Sequence, residues 1–284
     1  MIENQFFIDH IIRVALEEDL GSGDLTTDAI MDAELKGNAS LLAQERLVLA
    51  GLAVFSRVFK ILSPEIEFEY YFEDGQIVPS DKEICIISGA ISSILKAERT
   101  ALNFLQRMSG IATLVRSYVD KVGMQGVRVL DTRKTAPGLR LLDKYAVRMG
   151  GGFNHRFGLY DGILIKDNHI MAAGSITRAV VLVREKAPHT VKVEVEVEDL
   201  AGVEEAIQAG ADAILLDNMS PEIIRQAINL VDGRVMTEAS GNITLDNIME
   251  VARTGVDLIS VGAFTHSVRA VDMSLDLIWQ SRLK

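Results

Sequence analysis

Between residues 112 and 270 the sequence alternates regularly between strand-like and helix-like patterns, and this alternation limits the possible folds more than any other part of the chain. Helical patterns cover residues 139–149, 175–186, 200–209, 221–230 and 245–254. Short runs of β-branched and aliphatic residues predict six strands, at residues 127–131, 162–166, 191–197, 213–217, 234–239 and 257–262. Strands and helices in this order predict parallel βα units joined by right-handed crossovers.

Polar residues gather at the ends of the predicted strands. Lys166 and Asp217 close two of them, and Ser240 follows a third. Glu194 and Glu196 share one face of their strand, because side chains alternate along it. Such residues at the carboxyl ends of parallel strands are typical of a β/α barrel, whereas an open doubly wound sheet collects them only near its switch point. With six contributing strands rather than eight, the sequence predicts an incomplete β/α barrel of six to seven strands.

Residues 1–111 show a different pattern. Helical patterns at residues 6–18 and 52–62 stand beside strand-like runs at residues 65–78 and 82–89, which predicts a separate α+β domain. A helix at residues 94–109 connects this domain to a barrel domain of residues 112–270. Residues 271–284 predict an amphipathic helix that packs back on the first domain.

Three glycine-containing stretches suggest two different roles. The stretch GSGDLTT, residues 21–27, follows no strand and lacks the P-loop spacing, so we expect a structural turn capped by Asp or Thr. The turns at residues 240–242 and 260–267 follow the last two predicted strands. Barrel phosphate sites often use these two loops, and glycine exposes backbone N–H groups to an anion, so we expect a phosphate site here.

Charge is distributed unevenly along the chain. The protein has 29 Lys and Arg against 40 Asp and Glu, a net charge of −11. Within residues 128–169, eight basic residues face four acidic ones, a net charge of +4 before His155 and His169 are counted. A basic segment in an acidic protein predicts a site for a small anion, a carboxylate or a phosphate. Nucleic acid is disfavoured, because binding its backbone requires a broad basic face.

The candidate cations are Arg133, Lys134, His155, Arg156 and Lys166. Arginine suits planar carboxylates and phosphates because its guanidinium fork binds them bidentately. Lys166 also raises the possibility of a Schiff base, as in barrel aldolases. Its neighbour Asp167 and the acids of the next strands favour a charged amine and hence an electrostatic role.

The carboxylates of Glu196 and Asp217 lie on neighbouring predicted strands, and their role stays open at this point. They could hold Mg²⁺ together with a phosphorylated substrate, bind sugar hydroxyls, or form an ion pair with Lys166 or Lys192. A zinc site is not expected, because Cys85 is isolated and no H-E-x-x-H motif occurs.

A soluble, cytoplasmic protein is expected. The single cysteine, Cys85, cannot form an intrachain disulfide, which favours a reducing compartment. The N-terminal residues show no small-residue cleavage site of a signal peptide. No apolar stretch approaches the roughly 20 residues needed to span a bilayer.

Long motifs along nearly the whole chain support a more specific interpretation. They are EDLGSGDLTT, ERTALNFLQRMSGIAT, DTRKTAPGLR, GGGFNHRFGLYDGILIKDNH, VEVEVE, ILLDNM, EASGNIT and ISVGAFTHS. Together they resemble the quinolinate phosphoribosyltransferase family. The resemblance implies transfer of phosphoribosyl from phosphoribosyl pyrophosphate to the nitrogen of quinolinate with decarboxylation, which gives nicotinate mononucleotide, pyrophosphate and CO₂ for NAD biosynthesis.

The same resemblance implies roles for individual residues in a homodimer with a shared active site. The residues implied to line the quinolinate pocket are Arg133, Lys134, His155, Arg156 and Lys166, with Arg99 entering from the neighbouring subunit. Those implied to meet the ribose hydroxyls and Mg²⁺ of phosphoribosyl pyrophosphate are Glu196 and Asp217. Those implied to hold the 5′-phosphate are Ser240, Gly241, Gly262 and Ala263. Catalysis is expected to depend on Lys134, Lys166, Glu196 and Asp217.

Three competing interpretations remain from the sequence. The first is a molybdenum-associated relative of the same fold, which shares the TRKT core. The second is a Schiff-base barrel aldolase that uses Lys166. The third is a non-catalytic protein that binds or helps to transport an anion.

Overall fold

The computed structural model describes residues 5–32, 35–123 and 125–278. Its helices are α1 (Gln5–Leu20), α2 (Leu25–Ile30), α3 (Leu52–Leu62), α4 (Ile91–Val122), α5 (Arg140–Met149), α6 (Asp167–Ala173), α7 (Ile176–Lys186), α8 (Leu200–Gln208), α9 (Pro221–Val231), α10 (Ile248–Ala252) and α11 (Ala263–His266). Its strands are β1 (Lys36–Ala43), β2 (Leu47–Val48), β3 (Glu67–Tyr70), β4 (Ile77–Val78), β5 (Lys82–Ala90), β6 (Arg128–Leu130), β7 (Ile163–Ile165), β8 (Val193–Val197), β9 (Ala213–Asp217), β10 (Met236–Ser240), β11 (Leu258–Ser260) and β12 (Met273–Ile278). None of the helices in these residues is both long enough and apolar enough to cross a membrane.

The chain divides into two compact units. The first consists of Met1–Leu114, Ala136–Gly151 and Ser267–Lys284, and the second of Val115–Thr135 and Gly152–His266. The predicted boundary between residues 111 and 112 falls inside α4, which continues unbroken to Val122. The structure also groups α5 with the first unit, whereas the sequence pattern assigns that helix to the barrel domain.

The first unit contains an antiparallel sheet with the strand order β12-β1-β5-β3, and β2 and β4 form a separate pair. Helix α3 buries Val54, Phe55, Val58 and Phe59 completely. Phe59 meets Phe68 of β3 edge to face, with ring centroids 5.7 Å apart. Burying such aromatic rings dominates the energetics of a small core, because each removes a large apolar area from water.

The C-terminal segment differs from the structure predicted from its sequence. Residues 273–278 form β12 rather than a helix, and β12 pairs antiparallel with β1, from Met273 opposite Ala43 to Ile278 opposite Asn38. The sequence MSLDLI alternates apolar and polar residues, and this period of two lets the backbone complete the hydrogen-bond ladder along β1. The remaining residues of the predicted helix, 279–284, lie outside the described residues.

The second unit contains the predicted parallel sheet. Each of the six predicted strands overlaps one observed strand, and the order is β6-β11-β10-β9-β8-β7. A parallel bridge between Leu130 and Phe153 adds a further short pairing beside β6. Parallel strands point their carboxyl ends to one edge of the sheet, so the loops that follow all six strands meet there.

Two short helices differ from the sequence prediction. Helix α6 follows β7 after Lys166 and is not among the predicted helices, and α10 is five residues long rather than ten. The stretch GSGDLTT is the structural turn expected, because Asp24 caps α2 by accepting hydrogen bonds from the N–H groups of Thr26 and Thr27, each at 3.0 Å. Asparagine, aspartate, serine and threonine stabilise helix starts in this way.

Candidate active site

A cavity of about 640 Å³ opens at the carboxyl edge of the parallel sheet, within the second unit. All six strands or the residues directly after them contribute to its wall. The lining residues are Thr132, Arg133, Lys134, His155, Arg156, Leu164, Lys166, Glu196, Leu215, Asp217, Asn218, Glu238, Ser240, Gly241, Asn242 and Ser260. The volume is typical of a pocket for a small ligand.

Nine of the twelve predicted site residues line this cavity, namely Arg133, Lys134, His155, Arg156, Lys166, Glu196, Asp217, Ser240 and Gly241. Gly262 and Ala263 do not line it, although a Cβ on Gly262 would lie 3.1 Å from Cδ of Lys134. Arg99 belongs to α4 in the first unit and is not among the lining residues. The implied contribution of Arg99 from a neighbouring subunit stays a prediction.

Lys166 and Glu196 form an ion pair across the strands β7 and β8, with 2.6 Å between Nζ and Oε2. The Lys166 side chain is 42% exposed, while that of Glu196 is 16% exposed. Lys166 is also the residue that precedes α6, and its backbone N–H donates to Nδ1 of His169 at 3.0 Å. An amine held against a carboxylate is an ammonium ion without a free lone pair, so this geometry favours the electrostatic role over the Schiff base.

Arg156 and Arg133 place two guanidinium groups at the same cavity wall. Nη1 of Arg156 donates to the carbonyl oxygen of Gly162 at 2.9 Å, whereas its Nε is buried and has no hydrogen-bond partner among the residues that the structure describes. Burial, followed by the positive charge of Arg133, lowers the pKa of Arg156. Two half-buried like charges repel each other, so an anion bound between them is stabilised by both.

Asp131 holds the segment that carries His155 and Arg156. It is fully buried and accepts hydrogen bonds from Nδ2 of Asn154 at 2.6 Å and from the N–H of His155 at 2.9 Å. Since Asp131 follows β6 directly, it fixes the loop after Phe153 relative to the sheet. A site residue on a loop gains precision when a buried group anchors that loop.

The loops after β9 and β10 interlock through Asn218. Its N–H donates to the carbonyl oxygen of Ser240 at 2.9 Å, and its Oδ1 accepts from Nδ2 of Asn242 at 3.0 Å. Its own Nδ2 donates to Oδ2 of Asp217 at 2.7 Å. Gly241 has φ = +94°, and a Cβ there would lie 2.2 Å from Oδ1 of Asn218. Only glycine fits this close approach, which leaves backbone groups open to the cavity.

The two predicted phosphate loops lead into different structures. Helix α10 begins only at Ile248, so the turn at residues 240–242 does not lie at a helix N-terminus as the sequence pattern suggests. The turn after β11 does lead directly into a helix, because α11 begins at Ala263. The five residues between Asn242 and α10 explain the difference: Thr244 N–H donates to Oδ1 of Asn247, a local turn that competes with an earlier helix start.

Two carboxyl groups beside His155 are absent from the predicted site residues. Glu194 of β8 and Glu238 of β10 both face His155, whose Nε2 lies 3.1 Å from Oε2 of Glu194 and 3.6 Å from Oε2 of Glu238. Nδ1 of His155 accepts from the N–H of Arg156 at 2.8 Å. The alternation that places Glu194 and Glu196 on one face was the available signal for Glu194. For Glu238, which is 1% exposed, the available signal was its place near the end of the predicted strand at residues 234–239.

Cations and carboxylates at the carboxyl edge of a parallel βα sheet define an anion-binding β/α enzyme site. The sequence matches the family descriptions "Quinolinate phosphoribosyl transferase, N-terminal domain" over residues 24–109 and "Quinolinate phosphoribosyl transferase, C-terminal domain" over residues 111–276. The chain therefore belongs to the quinolinate phosphoribosyltransferase family, as its motifs suggested.

Individual relatives are similar over almost the whole chain. A probable carboxylating nicotinate-nucleotide pyrophosphorylase from Bacillus subtilis is 44% identical over 260 residues, which cover 92% of this chain and 90% of the relative. The crystal structure of NadC from Streptococcus pyogenes is 47% identical, with a TM-score of 0.93 over 96% of this chain and 98% of that one. The nicotinate-nucleotide pyrophosphorylase of Francisella tularensis is 42% identical, with a TM-score of 0.92, covering 95% of this chain and 96% of that chain.

Proposed function

We propose that this chain transfers the phosphoribosyl group of phosphoribosyl pyrophosphate to the ring nitrogen of quinolinate and releases CO₂, forming nicotinate mononucleotide and pyrophosphate. The observation that carries the proposal is the meeting of four cationic side chains with two carboxylates in one cavity of about 640 Å³. The cations are Arg133, Lys134, Arg156 and Lys166, and the carboxylates are Glu196 and Asp217. The names of the relatives agree with this chemistry.

The cations suit a dicarboxylate. Quinolinate carries two adjacent carboxylates, and the paired guanidinium groups of Arg133 and Arg156 offer planar forks for one of them. Lys134 and Lys166 carry point charges that stabilise a second carboxylate or the departing pyrophosphate. Positioning the pyridine nitrogen against the anomeric carbon supplies much of the rate, so no side chain is needed as a covalent nucleophile.

Glu196 and Asp217 fit Mg²⁺, which proteins usually bind by one or two carboxylates together with the phosphates of a substrate. Both side chains line the cavity from neighbouring strands. The ion would neutralise charge on the leaving pyrophosphate. The same carboxylates are suited to accept hydrogen bonds from ribose hydroxyls, and Glu196 would then exchange its ion pair with Lys166 for contacts to the substrate.

The decisive experiment is an assay of the purified protein with quinolinate, phosphoribosyl pyrophosphate and Mg²⁺, with nicotinate as a parallel acceptor. We expect nicotinate mononucleotide and CO₂ from quinolinate and no product from nicotinate. No product from either acceptor would contradict the proposal and favour the molybdenum-associated interpretation. Reductive trapping of a carbonyl substrate on Lys166 would instead favour the aldolase.

A matched pair of arginine variants tests the role of the cavity cations. Arg133→Ala should lower kcat/KM for quinolinate by about 10- to 150-fold, because a charge-assisted hydrogen bond contributes about 1.5–3 kcal/mol. Arg128→Ala is the control, since Arg128 is exposed, lies 5.2 Å from the ring centroid of Phe153 and does not line the cavity. Equal kcat/KM in the two variants would remove Arg133 from the substrate site.

Two further features belong to the proposal. We propose a homodimer in which Arg99 completes the site of the neighbouring subunit, and an Arg99→Ala variant that keeps its activity would contradict it. A cytoplasmic location is proposed from the single cysteine, Cys85, which is buried and free. Fractionation of cells that express the full chain tests this location.

A further inference from the structure

Glu238 lines the cavity, and the proposed function assigns no role to its carboxyl group. It lies on β10 and is 1% exposed. Its Oε1 is buried and makes no hydrogen bond within the described residues. The two other carboxylates of the wall are engaged, because Glu196 pairs with Lys166 and Asp217 accepts from the amide of Asn218. A buried oxygen without a partner at a cavity wall is costly unless it serves a bound group.

His155 determines what Glu238 and Glu194 can bind. Because Nδ1 of His155 accepts the backbone N–H of Arg156, the ring proton resides on Nε2, which faces the two carboxyl groups. The three ligand atoms lie within 4.8 Å of one another, as in a metal site. A metal ion would need the lone pair of Nε2, however, and that nitrogen carries the proton in this tautomer. The cluster is therefore better suited to hold a proton than a cation.

Glu238 is the carboxyl group of this cluster whose pKa is raised. Burial, and next the Glu194 carboxylate, raise the pKa of Glu238 to about 7, while His155 and the hydroxyl of Ser260 act in the opposite direction. These three groups face it from β8, from the loop after Phe153 and from β11. The residues paired with Glu238 on the neighbouring strands β9 and β11 are Leu215 and Leu258, which are apolar. The cavity wall thus contains a carboxylic acid near neutral pH.

The proposed reaction requires such an acid, and the present inference rests on that proposed function. Once the ring nitrogen carries the ribosyl group, the bond between the adjacent ring carbon and its carboxylate breaks. CO₂ leaves, and the electron pair stays on the ring carbon, stabilised by the pyridinium nitrogen. Because this carbanion can recapture the CO₂, net release of CO₂ requires that the carbon form a C–H bond, and no residue with a role in the proposed function supplies the proton.

The geometry points to Glu238 as the general acid that delivers this proton to the ring carbon. The O–H bond of Glu238 breaks as the C–H bond forms, which leaves Glu238 as a carboxylate. Solvent water then returns a proton before the next turnover. Glu194 acts as a positioning residue, because its negative charge favours the protonated form of Glu238 without touching the substrate.

The test separates the two chemical steps in a single turnover, with pyrophosphate and CO₂ measured independently after rapid quenching. Glu238→Gln keeps the shape of the side chain and removes its acidic proton. We expect pyrophosphate to form within about twofold of the wild-type rate, and CO₂ release to slow by about 10²-fold or more, the usual contribution of a general acid. The inference would be overturned if the rates of pyrophosphate formation and CO₂ release fell by the same factor in Glu238→Gln, or if the rate of CO₂ release stayed unchanged.

The pH dependence gives a second readout. In the wild type, the rate of CO₂ release should fall as pH rises above about 7, because Glu238 loses its proton. Glu238→Asp keeps an acid one methylene shorter, so it should release CO₂ more slowly than the wild type and retain this fall. Glu238→Gln should show no such fall. An unchanged pH profile in Glu238→Gln contradicts the inference, whereas a wild type that forms no pyrophosphate contradicts the proposed function instead.

Discussion

Replacing Gly241 by alanine should damage the loop after β10 in two separable ways. The first is backbone strain, because Gly241 has φ = +94°, and an L-residue in the left-handed region costs about 1–2 kcal/mol. The second is a collision, because the new Cβ would lie 2.2 Å from Oδ1 of Asn218 and 3.0 Å from its backbone nitrogen. The amide of Asn218 must then move, and its hydrogen bonds with Asn242 and Asp217 are lost.

Gly255→Ala isolates the first of these effects. Gly255 has φ = +91°, and the nearest atom to a Cβ there, Cγ2 of Ile228, is 3.8 Å away, an ordinary contact. It precedes β11, at the edge of the sheet opposite the cavity. We expect Gly255→Ala to lower the free energy of unfolding by about 1–2 kcal/mol. Gly241→Ala should lose about 1 kcal/mol more, because each of two exposed hydrogen bonds contributes about 0.5 kcal/mol.

Thermal unfolding and steady-state kinetics together test this reasoning. For a chain of this size, 1 kcal/mol lowers Tm by about 2–4 °C, so Gly241→Ala should unfold that much below Gly255→Ala. Gly241→Ala should also raise KM for phosphoribosyl pyrophosphate by about tenfold or more and leave quinolinate binding within twofold. Gly255→Ala should leave both unchanged. Equal Tm values, or an unaltered KM in Gly241→Ala, would refute the role assigned to the loop.

Two further predictions concern the stability of the first unit. Arg107→Leu should lower the free energy of unfolding by about 3 kcal/mol, because Nε and Nη2 of Arg107 donate at 3.0 and 2.9 Å to Asp143, which has no exposed surface. Urea unfolding measures this loss, and adding Asp143→Asn should recover part of it, since the uncompensated charge is then removed. Tyr145→Phe should cost about 1 kcal/mol by removing the 2.6 Å hydrogen bond from the Tyr145 hydroxyl to Asp74. Tyr160→Phe, at a residue 79% exposed, is the control and should cost nothing measurable.

Secondary structure with a strong local period could be predicted from the sequence. The strand runs around residues 163–165 and 213–217 are apolar and β-branched, and both appear as strands in the predicted parallel sheet. The segment at residues 271–284 shows where prediction from local periodicity fails. Its apolar residues fit a helix and a strand about equally, and the free edge of β1 decides for the strand over Met273–Ile278.

Much of the candidate site could also be predicted, because parallel strands bring their carboxyl ends to one edge whatever their order. Lys166 and Asp217 stand at such ends, and both line the cavity. The position of Arg99 could not be tested in the same way, since the role expected of it depends on a second subunit.

The sequence by itself determined the six βα units, the strand-end residues and the family, because local periodicity and long motifs are properties of neighbouring residues. Only the tertiary structure decided which side chains touch. His155 meets Glu194, 39 positions further along the chain, and both meet Glu238. These contacts depend on the spatial order β10-β9-β8 and on the depth at which each carboxyl group is buried. Burial and neighbouring charge raise the pKa of Glu238, and neither is encoded within a few residues of it.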